Sequence, residues 1–308
     1  MISGDRYLPH RARMKEGYLC FDNPDAIFEV LRAGCFALRI PDDFNPAPGI
    51  KLAREFYLDA DTTTSHAHMK YRGYRHKAGI YFDRDRFQTE HILIDTPRRE
   101  VEFPLAVNVA CEQMYGYARM ILGEILRIAG IDPTLWRDVT DGCIDGCGVQ
   151  WFGVSHYRPE RTQPGAPAHK DTGFITVLYF DQAGLEARID GRWQDIAPVD
   201  GYFLVHFGGA LEALTQQLPV QVHAPLHRVR QCVPHSGRED RFSFAAFLNP
   251  SADSNLYQVS ADGRSASTLG SVAEFLLEFN NVTWQDEHTD FGIKNSVLEL
   301  PYDKEAQE

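Results

Sequence analysis

The chain has 308 residues, 44% of them hydrophobic, enough for one large β domain with helical decoration and a substantial core. Its formal net charge of -12 argues against nucleic acid or an anionic membrane as a partner, because both reward basic surface. With no membrane-length apolar run, no secretory pattern in Met1-Ile2-Ser3-Gly4-Asp5-Arg6 and six scattered cysteines, the expectation is a cytoplasmic protein with free thiols, Cys143 and Cys147 included.

Asn23-Pro24-Asp25 predicts a helix start, with a capping Asn, Pro at the first helical position and an acid near the positive end. Gly34 stops that helix. Residues 35–40 then alternate as a strand with Phe36, Leu38 and Ile40 on one side, and a second helix is expected over 49–57. Residues 69–77 are the most basic segment, which reads first as a solvated loop. The strongest helix spans Phe103 to Ile128, where Val107, Ala110, Met114, Tyr117, Ile121, Ile125 and Ile128 recur at three and four; Gly130 and Pro133 end it.

From Val149 the period changes to that of strands. Phe174 to Phe180 reads as a strand buried on both faces, and Leu185 to Ile189 alternates into Asp190-Gly191, a two-residue hairpin turn from which Arg192 to Ile196 returns. Tyr202 to Phe207, Val222 to Arg230 and Arg241 to Leu248 are further strands, so the core is a sandwich or barrel. Ser271-Val272-Ala273-Glu274 is a capping box opening a helix with Val272, Phe275, Leu276 and Phe279 inward, followed by a polar tail from Asn280.

Within that core, His169 and Asp171 lie two positions apart, so on an extended strand they reach one metal from one face. His227 supplies a third donor, with His223 a competitor on the same side of a regular strand. Two imidazoles and a carboxylate form the facial triad that suits non-haem Fe(II) and leaves coordination positions open. Arg241 and Ser243 share a face backed by Phe242 and Phe244, a guanidinium and hydroxyl suited to a carboxylate. His-x-Asp alone carries little weight, since roughly one occurs by chance in such a chain. The second, His288-Thr289-Asp290, is followed by neither His nor Arg-x-Ser, whereas Arg241-Phe242-Ser243 is the chain's one Arg-x-Ser.

His169 to Tyr179, Gly184-Leu185, Trp193-Gln194-Asp195-Ile196, Gly201-Tyr202, Ala224-Pro225-Leu226-His227-Arg228-Val229 and Arg241-Phe242-Ser243 together resemble the isopenicillin N synthase-like family of Fe(II) oxygenases, most of which use 2-oxoglutarate. The resemblance selects His227 over His223. It implies a mainly β fold with flanking helices around a double-stranded β-helix (jelly roll, cupin-like), as a single domain over 1–308: a mostly helical N-terminal region over 1–145, a metal-bearing core over 146–250, and a helix and tail over 251–308.

It further implies Fe(2+), 2-oxoglutarate and O2 as cofactor and co-substrates. Arg241 and Ser243, with Tyr157 of His156-Tyr157-Arg158-Pro159, would hold the co-substrate carboxylate; that segment departs from the commoner Asn-Tyr-Tyr-Pro. Arg72 and Arg75 would line a substrate wall. His206, where the family often has Asn, would serve the pocket wall or support the triad. The expected activity is oxidation of an unactivated C–H bond, by hydroxylation, desaturation or cyclisation, in a small carboxylated or amino-acid-derived natural-product precursor. Retention of Asp171 speaks against halogenation. An oxidase of the isopenicillin N synthase type, using Arg241 on its substrate, is the alternative within the family; a non-catalytic metal-binding jelly roll is the alternative outside it.

Overall fold

The computed structural model describes residues 6–60, 70–233 and 240–283. Its N-terminal region comprises β1 (Arg6–Tyr7), β2 (Arg11–Lys15), β3 (Tyr18–Phe21), α1 (Ile27–Ala33), β4 (Cys35–Arg39), α2 (Ala47–Glu55), β5 (Tyr81–Asp83), β6 (Thr89–Ile94), α3 (Thr96–Glu102), α4 (Leu105–Ile128) and α5 (Trp136–Val139). Strands β7 (Val149–Tyr157), β8 (Ala166–His169), β9 (Ile175–Phe180), β10 (Leu185–Ile189), β11 (Arg192–Ile196) and β12 (Tyr202–Phe207) follow. After α6 (Gly209–Thr215) come β13 (His227–Val229), β14 (Arg241–Asn249), β15 (Asn255–Val259), β16 (Ala266–Ser271) and α7 (Val272–Thr283). None of the described helices is long and apolar enough to cross a membrane.

Two sheets make the barrel, one ordered β3-β2-β4-β12-β9-β14-β7-β6-β5 and the other β1-β11-β10-β13-β8. Pleating divides each large-sheet strand between two cores. Cys35, Tyr157, Phe180 and Leu204 join Leu185, Ala187, Ile196 and Val229 of the smaller sheet, so this core lies between the sheets. Residues of opposite parity, including Phe36, Leu38, Phe152, Val177, Phe203 and Phe244, pack with the stripe of α4 in a second core on the other face. The first helix of the sequence reading opens as a 3-10 turn capped by the Asn23 side chain. The strand after it is buried on both faces, because Cys35 and Ala37 enter the barrel while Phe36 and Leu38 meet the helices.

Several boundaries differ from expectation for local reasons. The long helix begins at Leu105 because Pro104 occupies its N-cap, and the preceding turns form α3, capped by Asp95. Helix α2 starts at Ala47, with Asn45 accepting the Ala47 N–H. Of the strand expected over 222–230 only His227–Val229 pairs; upstream of Pro225 the backbone instead bonds α1, His223 N–H to Leu31 O at 2.9 Å. The Asp190-Gly191 turn forms with φ of 49° and 75°, the double left-handed geometry a two-residue hairpin requires. The capping box forms, Glu274 N–H to Ser271 Oγ at 3.1 Å, and the helix continues through Asn280 to Thr283. Met69, His288-Thr289-Asp290 and the tail beyond Thr283 lie outside the described residues.

The connection from β8 to β9 crosses the start of α6 at very short range. Gly209 N–H donates to Asp171 O at 2.6 Å and Gly208 N–H to Phe174 O at 3.0 Å. A Cβ on Gly208 would stand 2.1 Å from Gly173 O, a backbone atom with no freedom to yield. Gly208→Ala is therefore expected to cost roughly 3 kcal/mol through overpacking and to disturb Asp171 directly. Urea unfolding together with metal affinity would check both effects; a neutral result on both would show that the segment relaxes.

Candidate metal centre and carboxylate clamp

His169 ends β8 and His227 opens β13, and the two residues stand opposite each other in register. Each follows a proline by two positions, and each Nδ1 lies against that proline's carbonyl, His169 to Pro167 O at 2.9 Å and His227 to Pro225 O at 3.0 Å. A carbonyl only accepts, so both Nδ1 atoms carry the proton and both Nε2 lone pairs are left for a ligand. Both Nε2 atoms face one oxygen of Asp171, at 3.8 Å and 3.7 Å from Oδ1. One donor atom from each of these three residues falls within 4.8 Å of the others. Burial, reinforced by His227, holds the His169 imidazolium pKa down to about 4, and burial lowers His227 as well. The Asp171 carboxyl goes the opposite way from what burial alone would do, because His227, His206 and His169 outweigh it and hold the pKa well below the usual carboxylate range. Neutral imidazoles around a carboxylate are the protonation states that a divalent cation requires.

His223, the competitor, is half exposed and turned to Glu212 at 3.6 Å. His206 is buried on β12 with Nδ1 3.7 Å from Asp171 Oδ2, the oxygen turned away from His169 and His227. It stands against the carboxylate, and its Nε2 has no protein partner.

The large sheet's register carries the clamp into the same interior. Arg241 pairs with Tyr157 and Ser243 with Ser155, all on the barrel face. Arg241 is 4% exposed and its Cζ lies 4.4 Å from the Tyr157 ring centroid and 5.8 Å from that of Phe180. Its Nε and one terminal nitrogen, Nη1, are buried without a partner, a costly state that an anionic ligand would relieve.

Arg72 and Arg75 do not form a free basic wall. Arg72 binds Glu55 at 3.0 Å, and Arg75 donates twice to Glu90, at 2.8 Å and 2.7 Å. The sequence reading missed this Glu90 assembly, which also receives Tyr81 Oη at 2.7 Å and His156 Nδ1 at 2.9 Å. It explains the unusual His156-Tyr157-Arg158: His156 faces away from the clamp, stacks on Tyr57 at 3.9 Å and reaches Asp240 at 3.0 Å, while Arg158 forks onto Asp83. Also missed was Phe279 of α7, whose ring sits edge-on to His169 at 6.1 Å.

Glu90 gives a pH prediction. Burial would raise its pKa, but hydrogen bonds from His156, Arg75 and Tyr81 hold it at about 2, against 4.5 unpaired. Because the folded value is the lower one, its stabilisation is complete above the unfolded value and fades as pH falls toward 2. Glu90→Gln is expected to lower stability by on the order of 3 kcal/mol at pH 7, with the gap to wild type shrinking by pH 3. Urea midpoints at the two pH values would read it, and a gap independent of pH would exclude the carboxylate as its source.

The 2OG-Fe(II) oxygenase superfamily profile matches residues 148–250. Curated relatives include an oxoglutarate-dependent flavonoid 7-O-demethylase 1 of Ocimum basilicum, 28% identical over 52% of this chain and 41% of the relative, and a 1-aminocyclopropane-1-carboxylate oxidase homolog 10 of Arabidopsis thaliana, 30% identical over 66% and 52%. The chain thus spans about half the length of the curated relatives it matches. Among solved structures, JOX2 in complex with 2OG, Fe and JA aligns with TM-score 0.58 at 20% identity over 88% of this chain and 86% of that one. The dioxygenase for auxin oxidation 1 from Arabidopsis thaliana, in its 2-oxoglutarate complex, aligns with TM-score 0.54 at 18% identity over 84% and 100%. Both likenesses bear on the fold, a double-stranded β-helix. Residues 148–250, the stretch that matches the 2OG-Fe(II) oxygenase superfamily profile, contain the His169, Asp171 and His227 cluster and the Arg241 clamp.

Proposed function

We propose that this protein is an Fe(II)- and 2-oxoglutarate-dependent dioxygenase of the isopenicillin N synthase-like group, acting on an unactivated C–H bond of a small molecule in natural-product tailoring. One observation carries the reading: two ligand-ready imidazoles and a carboxylate converge in the same barrel as a buried guanidinium with two unpaired nitrogens. The donor set fits ferrous iron, since one oxygen of Asp171 faces both Nε2 atoms while the other faces His206. His169, Asp171 and His227 would hold the ion, which when bound supplies open positions for the 2-oxo acid and dioxygen and the oxidising power for the C–H bond.

The chain's own residues then have distinct tasks. Arg241 and Ser243 bind the distal carboxylate of 2-oxoglutarate, and Tyr157 fixes the guanidinium plane from beneath. His206 orients Asp171, and Phe279 shields His169. Since the α4 stripe packs on the barrel's large sheet, helices and barrel are read as one domain over 1–308. Relatives named as a flavonoid 7-O-demethylase and a flavanone 3-dioxygenase support a small-molecule substrate.

The test is anaerobic titration of the Fe(II)-loaded protein with 2-oxoglutarate. A weak visible charge-transfer band that saturates is the expected result. Its absence in iron-replete protein would move the reading to the oxidase alternative, with Arg241 on the substrate.

A further inference from the structure

The cations around the barrel are committed to other partners. Arg72 is held by Glu55, Arg75 by Glu90, and Arg158 and Arg161 by Asp83. Arg84 is hydrogen-bonded to His91 at 3.2 Å. Among the described residues, Arg241 is the guanidinium that leaves two buried nitrogens unpaired. Among the described residues the interior thus offers one built carboxylate site, and 2-oxoglutarate takes it if the proposed function holds; this inference rests on that reading.

Elsewhere the inner face is open and apolar. Leu93, Trp151, Gly153 and Phe247 are partly exposed, whereas their outward-facing neighbours Ile92, Phe152, Val154 and Ala246 are buried. A reversal of that kind marks space on the barrel side of the sheet. Phe247 and Trp151 are paired across β14 and β7, and Gly153 pairs with Leu93 on β6. Along one row, Phe247 adjoins Thr176, which adjoins His206 at Asp171, so this ledge flanks the metal centre on the side away from Arg241. Phe247 leans over Gly153, whose Cβ would meet its ring at 3.0 Å, so no side chain rises between them.

We propose that the substrate is a neutral small molecule whose flat, apolar ring lies on Leu93, Trp151 and Phe247, and that the barrel recognises no substrate carboxylate. Aromatic side chains set beside a side-chain-free glycine offer contact to a ring, and a second carboxylate there would be desolvated without a partner. This replaces the carboxylated substrate that the resemblance implies.

The probes are 2-naphthol and 2-naphthoate, two flat molecules that differ in the charged group, titrated calorimetrically into Zn(II)-loaded protein saturated with 2-oxoglutarate. The expected result is that 2-naphthol binds at least about tenfold more tightly than 2-naphthoate, and that Phe247→Ala weakens 2-naphthol about tenfold with 2-oxoglutarate affinity unchanged. Leu93→Lys, a change at a partly exposed position, should reverse the preference toward 2-naphthoate. Equal or tighter binding of 2-naphthoate to wild type overturns the proposal, as does 2-naphthol affinity unmoved by both variants. A separate 2-oxoglutarate titration distinguishes the two levels: no binding there defeats the proposed function itself, whereas binding followed by a preference for 2-naphthoate defeats the substrate class alone.

Discussion

Asp171→Asn and His227→Ala are each expected to weaken divalent metal binding by at least about 100-fold, since losing a direct ligand should exceed the 10- to 100-fold typical of its outer supports. The two variants fail for different reasons. Asn keeps the shape of Asp171 but removes the anion that draws the cation into a buried site between two neutral imidazoles. Ala at 227 keeps the anion and removes one of two Nε2 donors. Among the described residues no other side chain completes the set: His206 faces the far oxygen of Asp171, and His223 is turned to Glu212. Competition with a chromophoric chelator would measure the loss, using Co(II) as an air-stable reporter. Near-wild-type affinity in His227→Ala would mean that the ion sits elsewhere, and would return His223 or His206 to consideration as ligands. Removing metal from wild type should lower its melting temperature, whereas neither variant should respond to chelator.

Much of this site was legible because its signals are local. The dipeptide turn at Asp190-Gly191 and the Arg241-Phe242-Ser243 alternation are local to their strands. The stripe of α4 was legible for the same reason, an apolar period of three and four. Asp171, by contrast, lies past the end of β8 and meets His169 and His227 from the connection to β9, not from the strand expected for it. What the sequence hid were matters of partnership. Nothing local says that Arg75 meets Glu90 from 15 positions away, or that His156 joins Glu90 to Asp240. The β6–β7 register sets Glu90 opposite His156, the β7–β14 register brings Asp240 near His156, and the turn before β5 brings Arg75 to Glu90. The wall that the resemblance implies at Arg72 and Arg75 thus meets arginines already paired to Glu55 and Glu90. The 222–230 strand failed at Pro225, whose missing N–H ends a ladder that the apolar pattern alone would continue. The ring of Phe279 reaches His169 through the packing of α7 on β8, for which a helical period gives a face but no neighbour.

Arg241→Ala should raise the 2-oxoglutarate concentration needed for half of the anaerobic visible band about 100-fold, equivalent to roughly 2.7 kcal/mol, with Fe(II) affinity unchanged. That size follows from what is removed. A buried guanidinium lying on Tyr157 has two nitrogens free to donate to the carboxylate, and hydrogen bonds to charged groups each contribute about 1.5–3 kcal/mol. Arg241→Lys restores the charge without the fork or its flat contact with Tyr157 and Phe180, so it should recover only about half of the free energy, leaving a loss near tenfold. Tyr157→Phe, which keeps the ring beneath the guanidinium, isolates the hydroxyl and should cost no more than about fivefold. Metal affinity serves as the internal control, because Arg241 and the three candidate ligands share the barrel but no contact is required between them. If Arg241→Ala binds Fe(II) and 2-oxoglutarate like wild type yet fails to convert substrate, the carboxylate at Arg241 belongs to the substrate and the oxidase mechanism takes precedence. If it loses both iron and 2-oxoglutarate, the arginine is a structural support of the barrel and the clamp must be sought elsewhere.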